Sequence, residues 1–160
     1  MAAKRTTSRK RISLPARTGS GPAGRRGPEP VHPTMKKIPK RVSTRPSARM
    51  DTFSNPHPGR DYEIEIEIPE FTCLCPMTGQ PDFAVLRITY IPHRVCVELK
   101  SLRNYLWTYR ERGAFHEAVT NRIADDLIRL MAPRWLEIEA EFQMRGGIAT
   151  TVRVSHSAME

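Results

Sequence analysis

The sequence predicts an α+β fold: an antiparallel sheet carrying two helices on one face, in the order strand, strand, helix, helix, strand, strand. Three observations carry this. Apolar and polar, mostly acidic, residues alternate strictly over 62–68 and again over 136–144, the two-residue period of a strand with one wet face. Between these stretches, over 101–112 and 115–131, apolar residues recur at three and four, the period of a helix with one buried stripe. Gly146-Gly147 then marks a tight hairpin before the last strand.

In the first strand Tyr62, Ile64, Ile66 and Ile68 share one face and three glutamates take the other. Phe71 to Phe83 breaks the pattern, because Pro76, Gly79 and Pro81 oppose both a helix and a ladder strand, so this segment is a shaped loop. Phe83 to Ile91, rich in β-branched and aromatic residues, is the second strand and pairs with the first. Pro92-His93-Arg94 interrupts it before a short run, Val95 to Glu98. The first helix presents Leu102, Tyr105, Leu106 and Tyr109, with Gly113 as its stop. The second presents Phe115, Val119, Ile123, Leu127 and Leu130, and Pro133 ends it. Leu136, Ile138, Ala140, Phe142 and Met144 then face away from Glu137, Glu139, Glu141 and Gln143, and Ile148 to Val154 closes the sheet. Open sheet edges favour association side by side into a ring or barrel, which places sites between subunits.

Charge divides the chain in two. Residues 1–50 hold fourteen Lys or Arg against one acid, Glu29, and seven of the fourteen prolines. The other 110 residues are net acidic, so the overall charge of +9 belongs to the first third and does not make the folded part a nucleic-acid binder. Isolated apolar residues among Arg, Ser, Pro and Gly build no core, and 1–50 therefore reads as a disordered basic tail before a folded domain at 51–160. Four readings of the tail stand: a dispensable segment, an over-extended start ahead of Met35 or Met50, weak nucleic-acid contact, or organelle import. No run of apolar residues is long enough for a signal peptide or a membrane span. Three cysteines, an odd number with two of them two apart, make no disulfide framework and point to a reducing, cytoplasmic setting.

The loop from Phe71 to Phe83 holds the chemistry-bearing residues. Cys75 is either a small buried hydrophobe or, exposed in a turn beside backbone N–H groups, a nucleophile. Cys73 and Cys75 could also open a metal site, but His93, Cys96 and His116 stand at no standard ligand spacing, and no metal is expected. Asp82 either caps the turn or works as a general acid or base. His116 and Glu117 open the second helix, where they fill surface positions or grip the N–H edge of a planar heterocycle and relay a proton. Lys100 and Arg103 form a solvated basic face or a phosphate grip. The Gly-rich dinucleotide fingerprint, the phosphate loop and the Gly-x-Ser-x-Gly elbow are missing, so any nucleotide cofactor is held by other means.

From Pro69 to Gly147 the chain resembles the NADPH-dependent 7-cyano-7-deazaguanine reductases, the nitrile reductases of queuosine biosynthesis. The pieces, in order, are Phe71-Thr72 with Leu74-Cys75-Pro76, Thr78-Gly79-Gln80-Pro81-Asp82-Phe83, Glu98-Leu99-Lys100-Ser101-Leu102-Arg103, Phe115-His116-Glu117 and Arg145-Gly146-Gly147. The resemblance implies the tunnelling fold, assembly into homo-oligomeric rings with sites at subunit boundaries, and two NADPH consumed per 7-cyano-7-deazaguanine. It implies Cys75 as the nucleophile that forms a thioimide and Asp82 as the proton donor. It further implies Val97, Glu98, Leu99, His116 and Glu117 at the substrate ring, and Lys100, Arg103 and Arg145 at the NADPH phosphates. Leu99 stands where the family often has Ser, and Arg103 where Lys is common. Two other readings are a zinc-dependent pterin cyclohydrolase on the same fold, and a nucleic-acid-associated protein acting through the tail.

Overall fold

A computed structural model describes residues 45–158, so the expectations for residues 1–44 lie outside the described residues. Its element order is β1 (Thr52–Ser54), β2 (Ile64–Leu74), β3 (Pro81–Ile91), β4 (Val95–Val97), α1 (Leu99–Leu106), a 3₁₀ turn (Trp107–Tyr109), α2 (His116–Met131), β5 (Trp135–Arg145) and β6 (Ile148–Ser157). The main sheet is antiparallel with strand order β2-β3-β5-β6, and β1 pairs with β4 in a separate two-stranded ribbon.

The alternation in the sequence decides which face is buried. Leu86, Ile88 and Tyr90 of β3 and Leu136, Ile138 and Ala140 of β5 are at most 1% exposed. They pack with Leu102, Tyr105, Leu106 and Tyr109 from the first helical segment and Val119, Ile123 and Leu127 from α2. The opposite face is ionic: Arg87 reaches Glu139 at 2.9 Å, Glu141 at 3.0 Å and Glu67 at 3.3 Å, and Arg153 pairs with Glu139.

Several boundaries differ from expectation, each for a local reason. β2 runs on to Leu74 past Pro69, which the strand accommodates at a β-bulge between Ile68 and Phe71. Proline has no N–H to donate, and an edge strand tolerates it at such a point. A second bulge between Phe142 and Arg145 turns Met144 out to solvent, although alternation places it with Phe142. α1 begins at Leu99, not Ser101, because the Glu98 carboxylate accepts from the N–H groups of Lys100 (2.9 Å) and Ser101 (2.7 Å). Its end tightens into the 3₁₀ turn, so Gly113 is not the helix stop. Phe115 is the residue before α2 and is exposed rather than buried. Residues 45–50, grouped with the tail by charge, already carry contacts: the Ser47 N–H donates to the Asn104 carbonyl at 3.0 Å, and Met50 packs against the core.

Candidate active site

Leu74 ends β2 by bonding sideways. Its N–H donates to the Arg112 carbonyl and its carbonyl accepts from the Ala114 N–H, both at 3.0 Å, which makes a parallel bridge to Gly113. A Cβ on Gly113 would meet the Pro76 Cα at 3.3 Å, so the smallest residue is what lets the two segments close. This bridge carries the start of α2, and with it His116, to the end of the sheet where the Cys75 turn stands.

The turn closes on itself. Cys75 donates its N–H to the Gln80 carbonyl and accepts at its own carbonyl from the Gly79 N–H, both at 2.8 Å. Gly79 has φ +68°, a left-handed conformation that glycine adopts without steric cost. Wrapped this way, the Cys75 sulfur takes the Thr78 hydroxyl first, then the N–H groups of Met77 and Thr78. These hold its pKa below that of an ordinary thiol, against a smaller desolvation effect and with help from the Arg145 charge. Cys73, two residues earlier, is fully buried, and burial together with the nearby Asp82 pushes its thiol up to about 11. Two thiols two residues apart are thus shifted in opposite directions.

Asp82 sits opposite Cys73 in the β2–β3 register and is 8% exposed. Its carboxylate meets the Arg145 guanidinium at 2.7 Å and His116 Nε2 at 3.5 Å. His116 lies flat on Phe142, with ring centroids 3.7 Å apart and planes 5° from parallel, which fixes the imidazole edge toward Asp82. The arrangement sets an activated sulfur within range of the Arg145 charge, and that guanidinium pairs with a buried carboxylate in contact with an imidazole, a set of groups able to attack an electrophile and move a proton. A cleft of about 610 Å³ lined by Tyr105, Tyr109, Arg112, Arg122, Asp126 and Arg129 includes none of Cys75, Asp82, His116 and Arg145.

Comparison with known proteins gives the family. Residues 81–160 match the family model described as QueF-like protein. The chain is 60% identical over 115 residues to the NADPH-dependent 7-cyano-7-deazaguanine reductase of Anaeromyxobacter dehalogenans (strain 2CP-C), an alignment that covers 72% of this chain and 94% of that protein. The chain belongs to this reductase family. The protein of the same name from Halorhodospira halophila is 59% identical, with 72% of this chain and 98% of that protein covered. Among solved structures, the apo archaeosine synthase QueF-Like aligns with TM-score 0.56 at 14% identity, over 61% of this chain and 96% of that one, and so shares its fold.

Within this reductase family member the expected site residues fall into two groups. Asp82 and His116 come together, Arg145, expected at the cofactor phosphates, stands with them on Asp82, and the Cys75 sulfur lies within range of the Arg145 charge. Glu117 follows His116 in the first turn of α2 with its side chain exposed. Val97, Glu98, Leu99, Lys100 and Arg103 form the second group at the head of α1, where Val97 is buried, Leu99 is 60% exposed and the Arg103 guanidinium lies 4.3 Å above the Trp107 ring. Sequence reasoning missed two contributors to the first group. Thr78 shows only as a turn residue, although a hydroxyl three positions after a cysteine in a tight turn is a signal that points back at the sulfur. Phe142 shows as core, and nothing in its periodicity marks it as the plate beneath His116. Among the described residues no three His, Cys, Asp or Glu side chains gather as a metal site, and no helix is long and apolar enough to cross a membrane.

Proposed function

We propose that this protein reduces the nitrile of 7-cyano-7-deazaguanine to the aminomethyl group through a covalent thioimide on Cys75, with NADPH as reductant, in the biosynthesis of queuosine in tRNA. The observation that carries the reading is the opposed treatment of the two thiols beside a buried Asp82–His116 pair. A nitrile is a weak acceptor of hydride. Attack by the Cys75 thiolate forms an S–C bond and moves one C≡N electron pair onto nitrogen, leaving a C=N bond that accepts hydride readily. That nitrogen needs a proton. Asp82, beside Arg145 at 2.7 Å and His116 at 3.5 Å, is the group placed to deliver it, with the imidazole as its neighbour in the relay.

NADPH, when bound, supplies the hydride for each of the two reductions. Between them the Cys75 sulfur leaves with its bonding electron pair to give the imine, and it leaves easily because the turn stabilises its anion. Glu117 accepts N–H bonds from the edge of the deazaguanine ring, while Val97, Glu98 and Leu99 contribute to the same pocket. The first N–H groups of α1 are occupied by Glu98, so the NADPH phosphates require side-chain cations. Lys100 in the first turn of that helix and Arg103 in its last, both exposed, fit a polyanion.

We further place the site at a boundary between copies of this chain in a ring of tunnelling-fold subunits. Met77, Phe83, Phe115, Met144 and Ile148 are large exposed apolar residues carried by the same turns and strand ends as the Cys75 cluster. The strands β2 and β6 are the two edges of the main sheet among the described residues. Three free thiols suit a reducing cytoplasm.

The test is incubation with 7-cyano-7-deazaguanine in the absence of NADPH, followed by intact mass measurement. Wild type gains the mass of the substrate and Cys75→Ala gains nothing. An adduct retained in Cys75→Ala overturns the assignment.

A further inference from the structure

Side-chain parity at the site end of the sheet is set by the two bulges. Ile68 faces Leu86 and Phe71 faces Ala84, so β2 holds one residue more than β3 between those pairs. Phe142 faces Thr150 and Arg145 faces Ile148, so β5 holds one residue more than β6. One extra residue turns every later side chain to the opposite face. In β2 this brings Phe71 and Cys73 to the helix side, which Ile64, Ile66 and Ile68 occupy before the bulge. In β5 strict alternation from Leu136 to Phe142 would send Arg145 to the ionic face with Glu139 and Glu141. The bulge sends it to the Asp82 side instead.

There one nitrogen of the guanidinium, Nη2, donates to the Pro81 carbonyl at 2.7 Å and stands in an ion pair with Asp82 Oδ1, also at 2.7 Å. A carboxylate as buried as Asp82 is costly without a paired donor. The titratable groups around this pair are Cys73 from β2, Asp82 itself on β3, His116 from α2 and Cys75 in the turn. We propose that Arg145 is a positioning residue for adduct formation: aimed by the β5 bulge, it fixes the Asp82 carboxylate against β3 and beside His116, where a proton is delivered to the nitrile nitrogen. This rests on the thioimide reading above. It differs from a phosphate-binding role, which would act on NADPH and leave the NADPH-free adduct untouched. The Arg145 charge also favours the Cys75 thiolate, after the Thr78 hydroxyl and the turn N–H groups.

The experiment measures the rate of adduct formation without NADPH across pH, and KM for NADPH in turnover, for wild type, Arg145→Gln and Arg145→Lys. Loss of the ion-pair partner of a buried carboxylate predicts an adduct rate about 10- to 100-fold lower in Arg145→Gln. Removing a cation that favours the Cys75 thiolate raises the thiol's proton affinity, so the acid limb of the profile moves to higher pH. Arg145→Lys keeps the charge without the guanidinium fork, recovers part of the rate and keeps the wild-type limb. KM for NADPH stays unchanged in both. An adduct formed at the wild-type rate in Arg145→Gln overturns the proposal, and so does a slower adduct with an unshifted profile, which would make Arg145 a packing residue. If Arg145→Gln does not melt cooperatively, Arg145→Lys decides: a reduced adduct rate with unchanged KM supports the proposal, and a wild-type rate overturns it. A wild type that forms no adduct sinks the nitrile reading itself, which is a different result.

Discussion

Selective alkylation tests the site without substrate or cofactor. The perturbation is iodoacetamide on the native protein, which reacts with thiolate and not with thiol. Burial and the Asp82 charge push Cys73 up to about 11, so at pH 7.5 only about 1 in 3,000 of its thiols is ionised. An ordinary exposed thiol at 9.0 is about one-thirtieth ionised at that pH, a difference of about 100-fold before any effect of access. Cys75 lies below the ordinary value, so this ratio is the smallest to expect between the two. Cys73 and Cys96 are also almost wholly inaccessible. Peptide mapping over a time course between pH 6 and 9 should therefore find the label on Cys75 long before either buried thiol. Thr78→Val removes the largest cause of the Cys75 shift, so its labelling profile moves to higher pH and labelling below pH 8 slows. Labelling of Cys73 as fast as Cys75 in protein that still melts cooperatively would refute the reasoning, and an unchanged profile in Thr78→Val would refute the turn's part in it.

Three further outcomes follow from the geometry. Asp82→Asn keeps the shape but removes the charge that His116 and Arg145 face. Substrate binding by calorimetry should survive while reduction slows, and normal turnover at neutral pH would rule out proton delivery by Asp82. Glu98→Ala strips two N–H acceptors from the start of α1 and should cost about 1 kcal/mol in urea denaturation. Asp126 is pushed up by burial, but the Tyr105 hydroxyl at 2.7 Å, Arg122 and Arg129 outweigh this and hold its pKa below the usual value. A depressed folded pKa contributes stability above the unfolded value near ~3.9 and loses it as pH falls through the folded one. Asp126→Asn should thus destabilise by about 2 kcal/mol at pH 7, and the gap from wild type should shrink toward pH 2 in parallel denaturant titrations.

Short-range periodicity determined much of this protein from sequence. Alternation at 62–68 and 136–142 and helical spacing from Leu102 to Tyr109 and Val119 to Leu127 name the strands, the helices and most of the core, because each depends only on which face a residue presents. The ribbon of β1 and β4 was not legible, since three exposed residues at Thr52–Ser54 carry no period and gain their structure from pairing 45 positions away, Thr52 with Val97. Family motifs placed Cys75, Asp82 and His116 on the page as separate residues. Only tertiary structure joined them: the Leu74–Gly113 bridge brings α2 to the Cys75 turn, and the bulges at Pro69 and Met144 choose which side chains face inward. A bulge is one residue of mismatch between two strands, a property of the pair and not of either sequence alone. That is why Arg145 reads as an outward residue in the alternation of β5 and stands on Asp82 in the fold.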